Sequence, residues 1–257
     1  MPDPIHIAQK VAPARLKVQA KQARNAVGLN DVRSQVVIVV DVSGSMDHFF
    51  SQGIVDGLVT RCAILGFEFD DDKQIPVYAL NDGVQRLPVL TPENLDGYVN
   101  KNFRVGGGTN YAPSIRAVLE DAKPGDPLFV WFFTDGENYD HQESADLIKA
   151  ASRFPIFWQF FGIYGRQAPN FNFLESLDTM SGRVIDNAGF SKLGLLEVTD
   201  EELFKAIMHE YKGYPELARR AGLLPWKQDN VFGRRESSGN SGNSGGSLGS
   251  RLRGWLS

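Results

Sequence analysis

One cysteine in 257 residues, Cys62, leaves no partner for an intrachain disulfide. No uninterrupted apolar run approaches the ~20 residues that a membrane helix needs. The N-terminus also lacks the apolar core of a signal peptide, so the cytoplasm is the expected compartment. An HExxH helix, Cys/His zinc spacing and a GxxxxGK[ST] loop are all missing, which removes the zinc-hydrolase, zinc-finger and P-loop nucleotide readings. The run Asp70-Asp71-Asp72 lacks the alternation and the glycine of an EF-hand, and reads as a solvated acidic turn. There is no internal repeat. A basic excess is absent too, since the net charge is −4. That charge is unevenly placed: +4 on residues 1–33 and +3 on 234–257 leave −11 on 34–233. An acidic body repels nucleic acid, so no nucleic-acid partner is expected, and membrane contact falls to the basic ends alone.

What is present is a core, at 42% hydrophobic residues, and a chain length suited to one α/β domain with modest appendages. The chain is organised around Val36-Val37-Ile38-Val39-Val40-Asp41-Val42-Ser43-Gly44-Ser45-Met46. Five apolar residues, all of them β-branched, read as a central parallel strand covered on both faces. Asp41, Ser43 and Ser45 follow at its carboxyl end, where open parallel sheets place their ligand sites. One carboxylate and two hydroxyls suit a hard cation such as Mg²⁺.

Residues 1–33 carry Lys10, Arg15, Lys17, Lys21 and Arg24 around Leu16, Ala20, Ala23 and Val27, which predicts a short basic amphipathic helix stopped by Gly28. It is read as an arm packed on the domain's edge, with an acidic partner or a membrane surface as the other reading. Asp47 is placed to cap a helix from about Phe49 to Gly66, whose stripe Phe50, Ile54, Leu58, Cys62, Leu65 makes Cys62 a core residue. Asn81-Asp82-Gly83 between the apolar runs 75–80 and 85–90 predicts a hairpin, hence one antiparallel strand beside an otherwise parallel sheet. Thr91-Pro92-Glu93 predicts a helix start, and Pro113 opens a helix to about Ala122. Further strands are expected at Leu128–Phe133, Pro155–Ile163 and Gly182–Asp186, with helices at Gln142–Arg153 and Phe171–Met180. Thr199-Asp200-Glu201-Glu202 is a capping box, and a last helix at Pro215–Ala221 ends on Gly222. The expected domain spans 34–233, followed at 234–257 by a flexible Ser/Gly/Asn linker with a basic, apolar tip suited to docking.

Two more pieces bear on the site. Gly106-Gly107-Gly108 lacks the spacing of a phosphate loop; its glycines let the backbone come close and aim the neighbouring Thr109. Asp135, in Thr134-Asp135-Gly136, ends a buried strand as Asp41 does. Glu137, Asp140, His48 and His141 fall near the same rim and read as surface residues, with partner contact the sharper role for the two histidines.

Taken in order, Asp41-x-Ser43-x-Ser45, Thr109 in a glycine loop and Thr134-Asp135-Gly136 resemble the metal-ion-dependent adhesion site of von Willebrand factor A (vWA) domains. Within that family the likeness is to bacterial tellurium-resistance (TerF-like) vWA proteins. It rests on Ala112-Pro113 after the glycine loop, Trp131-Phe132-Phe133 before Thr134, Asp200-Glu201-Glu202-Leu203, and Tyr214-Pro215-Glu216-Leu217-Ala218 with Gly222-Leu223-Leu224. The resemblance implies a doubly wound, three-layer, Rossmann-like fold with a mostly parallel six-stranded sheet and one antiparallel edge strand. It implies Mg²⁺ or Mn²⁺, with Ca²⁺ less favoured, held by Ser43, Ser45, Thr109, Asp41 and Asp135. It also implies a non-enzymatic module that binds an Asp or Glu of a protein partner through the metal, in a stress-response setting. Alternatives are an adaptor for an AAA+ ATPase, a metal-dependent phosphoesterase and a structural component of a larger assembly. The phosphoesterase lacks its second carboxylate, because Ser43 stands two residues after Asp41, and Ser43 lacks the GxSxG elbow of an acyl-transfer nucleophile.

Overall fold

The computed structural model describes residues 13–136, 138–166, 168–194 and 198–225. Six strands form one sheet: β1 (Gln35–Asp41), β2 (Val77–Leu80), β3 (Val84–Arg86), β4 (Leu128–Thr134), β5 (Ile156–Tyr164) and β6 (Ala188–Gly194). Their order is β3-β2-β1-β4-β5-β6, parallel throughout except for the β2–β3 hairpin. The α/β class, the six strands and the antiparallel edge strand are as expected. In this order the chain winds outward in both directions from β1 and β4, which makes the gap between their carboxyl ends the topological switch point.

Alternation along the strands splits the core in two. Val36, Ile38, Val40, Phe129, Trp131, Phe133 and Phe161 face one side, with α1 (Pro13–Ala26), α3 (Ile54–Phe69) and α8 (Asp200–Met208). Val37, Val39, Val130, Phe132, Trp158 and Phe160 face the other, with α5 (Ala112–Asp121), α6 (His141–Ala151) and α7 (Asn172–Thr179). Sandwiching explains the unbroken apolar runs 36–40 in β1 and 128–133 in β4 and the largely apolar β5: neither face meets water. Facing rings lock neighbouring strands, as in Phe133 stacked on Phe161 at 4.8 Å. Cys62 is fully buried. Among the described residues no helix is long and apolar enough to cross a membrane.

Several expected elements are corrected. The helix expected over 49–66 is two, α2 (Asp47–Ser51) and α3, because Gly53 takes a left-handed φ of 70° between them. Asp47 lies inside α2, and its cap is Met46. No helix starts at Thr91-Pro92: the Asn94 side chain accepts from Thr91 N and donates to the Val89 carbonyl, both at 2.8 Å. That closes a turn instead. The helix of this region is α4 (Tyr98–Asn102). The last strand lies at 188–194 rather than at 182–186, where Gly182 (φ 78°) turns the chain and the Arg183 guanidinium bonds the Asp178 and Met180 carbonyls. The capping box at Thr199 and Glu202 is present, and α9 (Tyr214–Arg220) precedes a left-handed Gly222. Residues 1–12, the tail at 234–257 and Glu137 lie outside the described residues.

The basic arm packs Leu16, Ala20 and Ala23 on the core and is tied down by one side chain in particular. Arg24, only 6% exposed, donates to the carbonyls of Leu29 (2.8 Å), Asn30 (3.1 Å) and Val32 (2.9 Å), and also to that of Glu68. Its guanidinium lies 4.4 Å from the Phe69 ring centroid. One planar fork thus ties α1 to the strand lead-in and to the end of α3, which a lysine ammonium cannot reproduce. Arg24→Ala is expected to cost about 2–3 kcal/mol of stability in denaturant unfolding, and Arg24→Lys to recover little of it.

Candidate metal site

The site is built from strand ends. Asp41 is the last residue of β1 and has no solvent exposure. Its Oδ1 accepts from Ser43 N at 2.7 Å, and its Oδ2 from the Thr134 hydroxyl at 2.6 Å. Thr134 is the last residue of β4, and Asp135 follows it. Between them the chain leaves β1 through a single 3-10 turn, Gly44–Met46. That turn brings the Ser43 and Ser45 hydroxyls within 3.2 Å of each other, and the Ser45 hydroxyl donates to Asp135 Oδ1 at 3.0 Å. Four of the five expected ligands, Asp41, Ser43, Ser45 and Asp135, therefore sit in one hydrogen-bonded group.

The fifth, Thr109, arrives on the glycine loop. Gly106 N donates to the Val42 carbonyl (2.7 Å) and Gly44 N to the Gly107 carbonyl (3.1 Å), so the loop is pinned on the turn that carries the serines. From the other side the β2–β3 turn holds it: Asn81 Nδ2 donates to the Gly106 carbonyl (2.9 Å), and Gly108 N to Asp82 Oδ2 (2.9 Å). A Cβ on Gly107, whose φ is 86°, would stand 2.5 Å from Asp82 Oδ2, and one on Gly108 would stand 2.7 Å from Asp82 Oδ1. The left-handed φ makes Gly107 a position for glycine, and at both glycines the Asp82 carboxylate would have to move to admit a side chain. Thr109 is 7% exposed, and its hydroxyl has no hydrogen bond among the described residues.

Other residues emerge only from the structure. Asp140, read from sequence as a surface residue, is half-buried. Its carboxylate accepts from Tyr111 N (3.0 Å), Ala112 N (2.7 Å), Asn138 Nδ2 (2.5 Å) and the Ser144 hydroxyl (3.1 Å). It caps α5 from across the site and fixes Tyr111 and Ala112, two and three residues after Thr109. The Tyr111 hydroxyl donates to the Gly136 carbonyl (2.6 Å) and lies 3.1 Å from Thr134 Oγ1. Tyr139 N donates to the Thr109 carbonyl at 3.1 Å. His48 Nδ1 lies 3.0 Å from the Ser45 carbonyl, whereas His141 stacks on Phe173 at 4.1 Å.

Burial dominates the electrostatics of the two carboxylates. Burial pushes Asp41 up to about 6, against hydrogen bonds from Ser43 and Thr134 that hold it down, and Asp135 adds to the rise. Asp135 is raised by burial too, with the Ser45 hydrogen bond opposing. Neither carboxylate is ion-paired among the described residues. Also among the described residues, no group of three or more His, Cys, Asp or Glu side chains is placed to hold a metal. The donor set is instead two carboxylates and three hydroxyls. Such an all-oxygen set fits a hard divalent ion, and a cation there would favour both charged carboxylates.

Comparison with known proteins agrees with this architecture. The family model described as the vWA domain found in the TerF C terminus matches residues 33–224. An uncharacterized protein of Bacillus subtilis (strain 168), YcbR, is 30% identical over 207 residues, covering 76% of this chain and 83% of its own. Among solved structures, proximal thread matrix protein 1 from the mussel byssus superposes with a TM-score of 0.54 at 17% identity. That match covers 69% of this chain and 48% of the mussel protein, so the chain spans about half its length. With the switch-point site and the sheet order already described, the match over 33–224 makes the chain a member of the TerF-like vWA family.

Proposed function

We propose that this protein is a non-enzymatic binding module. In this reading Asp41, Ser43, Ser45, Thr109 and Asp135 hold a divalent cation, Mg²⁺ or Mn²⁺, that bridges to an Asp or Glu of a protein partner. The observation that carries it is the convergence of the Ser43, Ser45 and Asp135 oxygens at the switch point, beside a buried Asp41 with no cationic partner among the described residues. Three neutral hydroxyls donate little charge, so a bound ion keeps an electrophilic position for an incoming carboxylate oxygen. The chain's own residues set the rest of the geometry. Thr134 and Ser43 N orient the Asp41 carboxylate, and Asp140 holds the backbone next to Thr109. Ser43, where a phosphoesterase of this layout carries a second carboxylate, supports binding over hydrolysis. Membership of the TerF-like family supports a bacterial, tellurium-resistance-like stress-response setting for the partner.

The test is a Mg²⁺ titration by calorimetry, paired with affinity purification in Mg²⁺ or in chelator. Asp41→Ala is expected to abolish both metal binding and partner capture while the protein stays folded; capture that survives the substitution and the chelator overturns the reading. A pH dependence follows. With its folded pKa raised to about 6, Asp41 penalises the chelated protein above that pH, and the penalty fades as pH falls toward the unfolded value of about 4. Mg²⁺ is therefore expected to raise the melting temperature at pH 7.5 and to have little effect at pH 5. Asp140→Ala is expected to weaken Mg²⁺ binding by about 10–100-fold without touching a ligand, as measured in the same titration.

A further inference from the structure

Beside Thr109, the rim of the candidate metal site carries an aromatic ring that nothing covers. Tyr139 is 83% exposed, whereas Asn138 before it is buried and Asp140 after it is half-buried. A lone exposed ring means little by itself. This one stands on a fixed backbone: Tyr139 N donates to the Thr109 carbonyl at 3.1 Å, and Asp140 is anchored on the start of α5. The edge of its ring lies against Gly108, where an added Cβ would stand 3.2 Å from Tyr139 Cε2.

Asp82 meets the same gap. The same Cβ would stand 2.7 Å from Asp82 Oδ1, so carboxylate and ring lie within about 6 Å of each other, the range over which a ring attracts a cation. Asp82 is exposed yet fixed as well, since its Oδ2 accepts from Gly108 N (2.9 Å) and its carbonyl from Asn110 Nδ2 (3.1 Å). Among the described residues nothing donates to its Oδ1 and no cation pairs with it. A carboxylate oxygen and an aromatic ring thus share the space that a side chain at Gly108 would fill. Together they match the head of a lysine or arginine, the oxygen taking its N–H donors and the ring its charge. The charge of −11 on residues 34–233 attracts such a head as well. Gly108 directly precedes Thr109, so the gap is one Cα step, about 3.8 Å, from a candidate metal ligand.

We propose that Asp82 and Tyr139 hold a Lys or Arg of the protein partner, within about three residues of the carboxylate that the metal bridges. This partner chemistry, which rests on the metal-bridging reading, is a segment with an acidic residue and a basic one close together. A ring and a carboxylate already fixed by the backbone lose little freedom on binding, which suits them to selecting among acidic segments.

The experiment uses the full chain in saturating Mg²⁺ and titrates short, capped synthetic peptides by calorimetry. Each peptide carries one aspartate in a glycine chain, with a lysine or its uncharged isostere norleucine placed one to three positions away on either side. At the best spacing the lysine peptide is expected to bind about 3–30-fold more tightly than its norleucine counterpart, from one exposed cation–ring contact and one surface ion pair. Tyr139→Ala is expected to cut that preference about threefold with Mg²⁺ binding unchanged, and Tyr139→Phe to keep most of it. Asp82→Asn, which still offers Gly108 N an oxygen, is expected to lower the preference too. A loss confined to Asp82→Asn and accompanied by weaker Mg²⁺ binding marks a displaced glycine loop and overturns the proposal. Mg²⁺-dependent binding with equal affinity for lysine and norleucine peptides at every spacing, or a preference undiminished in Tyr139→Ala, overturns the proposal and leaves the bridging reading standing. Binding that survives chelation or an asparagine in place of the peptide aspartate, or no binding of any peptide, overturns both together.

Discussion

A carboxylate with no access to water, at the end of a strand with no wet face, is the constraint from which this site follows. Asp41 cannot be solvated, so each of its oxygens must find a donor within the protein, and each does. One donor is the backbone two residues on, which forces the chain to turn sharply after β1 and sets the two serines side by side. The other is the final hydroxyl of β4, which ties the two strands at the switch point. Hydrogen bonds alone do not restore the charge, and burial still raises the carboxyl to about 6. The desolvation cost of this carboxylate therefore exceeds what its two hydrogen bonds offset.

The rest of the upper face serves to bring one distant segment, the glycine loop, against that turn. The β2–β3 hairpin turn does so through Asn81 and Asp82, which clamp the loop from the side opposite β1. Asp140 does so from beyond β4, by capping α5 from outside its own chain segment. The loop is held by main-chain and side-chain contacts on both flanks, and among the described residues the Thr109 hydroxyl is left without a hydrogen bond.

The fold was legible wherever burial was symmetric. The runs at 36–40 and 128–133 have apolar residues at every position because both faces are covered, and both were placed within a residue or two of the strands observed. Legibility failed where one side is open or where a turn is decided by a single side chain. Strand β6 lies at the edge and carries Ser191 and Lys192, so it looked like a loop, while the more apolar Val184-Ile185 beside it looked like the strand. Thr91-Pro92 has the composition of a helix start, but the Asn94 side chain closes a turn instead. At the candidate site, the five oxygen-bearing side chains could be put forward as candidates because each lies at a strand end or beside a glycine run. Asp140 and Asp82 could not be assigned roles, because their partners are backbone amides from remote segments. Such amides carry no signature in the sequence.

The position of β1 has a consequence for how the molecule comes into being. It is the first strand made, yet it sits in the middle of the sheet, and one of its neighbours, β4, pairs Val37 with Val130. During synthesis its flank of open amides and carbonyls must therefore wait for most of the domain to emerge. Over that interval, a β-branched segment with a bare edge is a template for pairing with any other extended chain. Slow, long-range closure of this kind makes the nascent polypeptide more prone to aggregate than the finished one. The same valine run that buries Asp41 is the stretch a cell would most need to shield until residue 134 has left the ribosome.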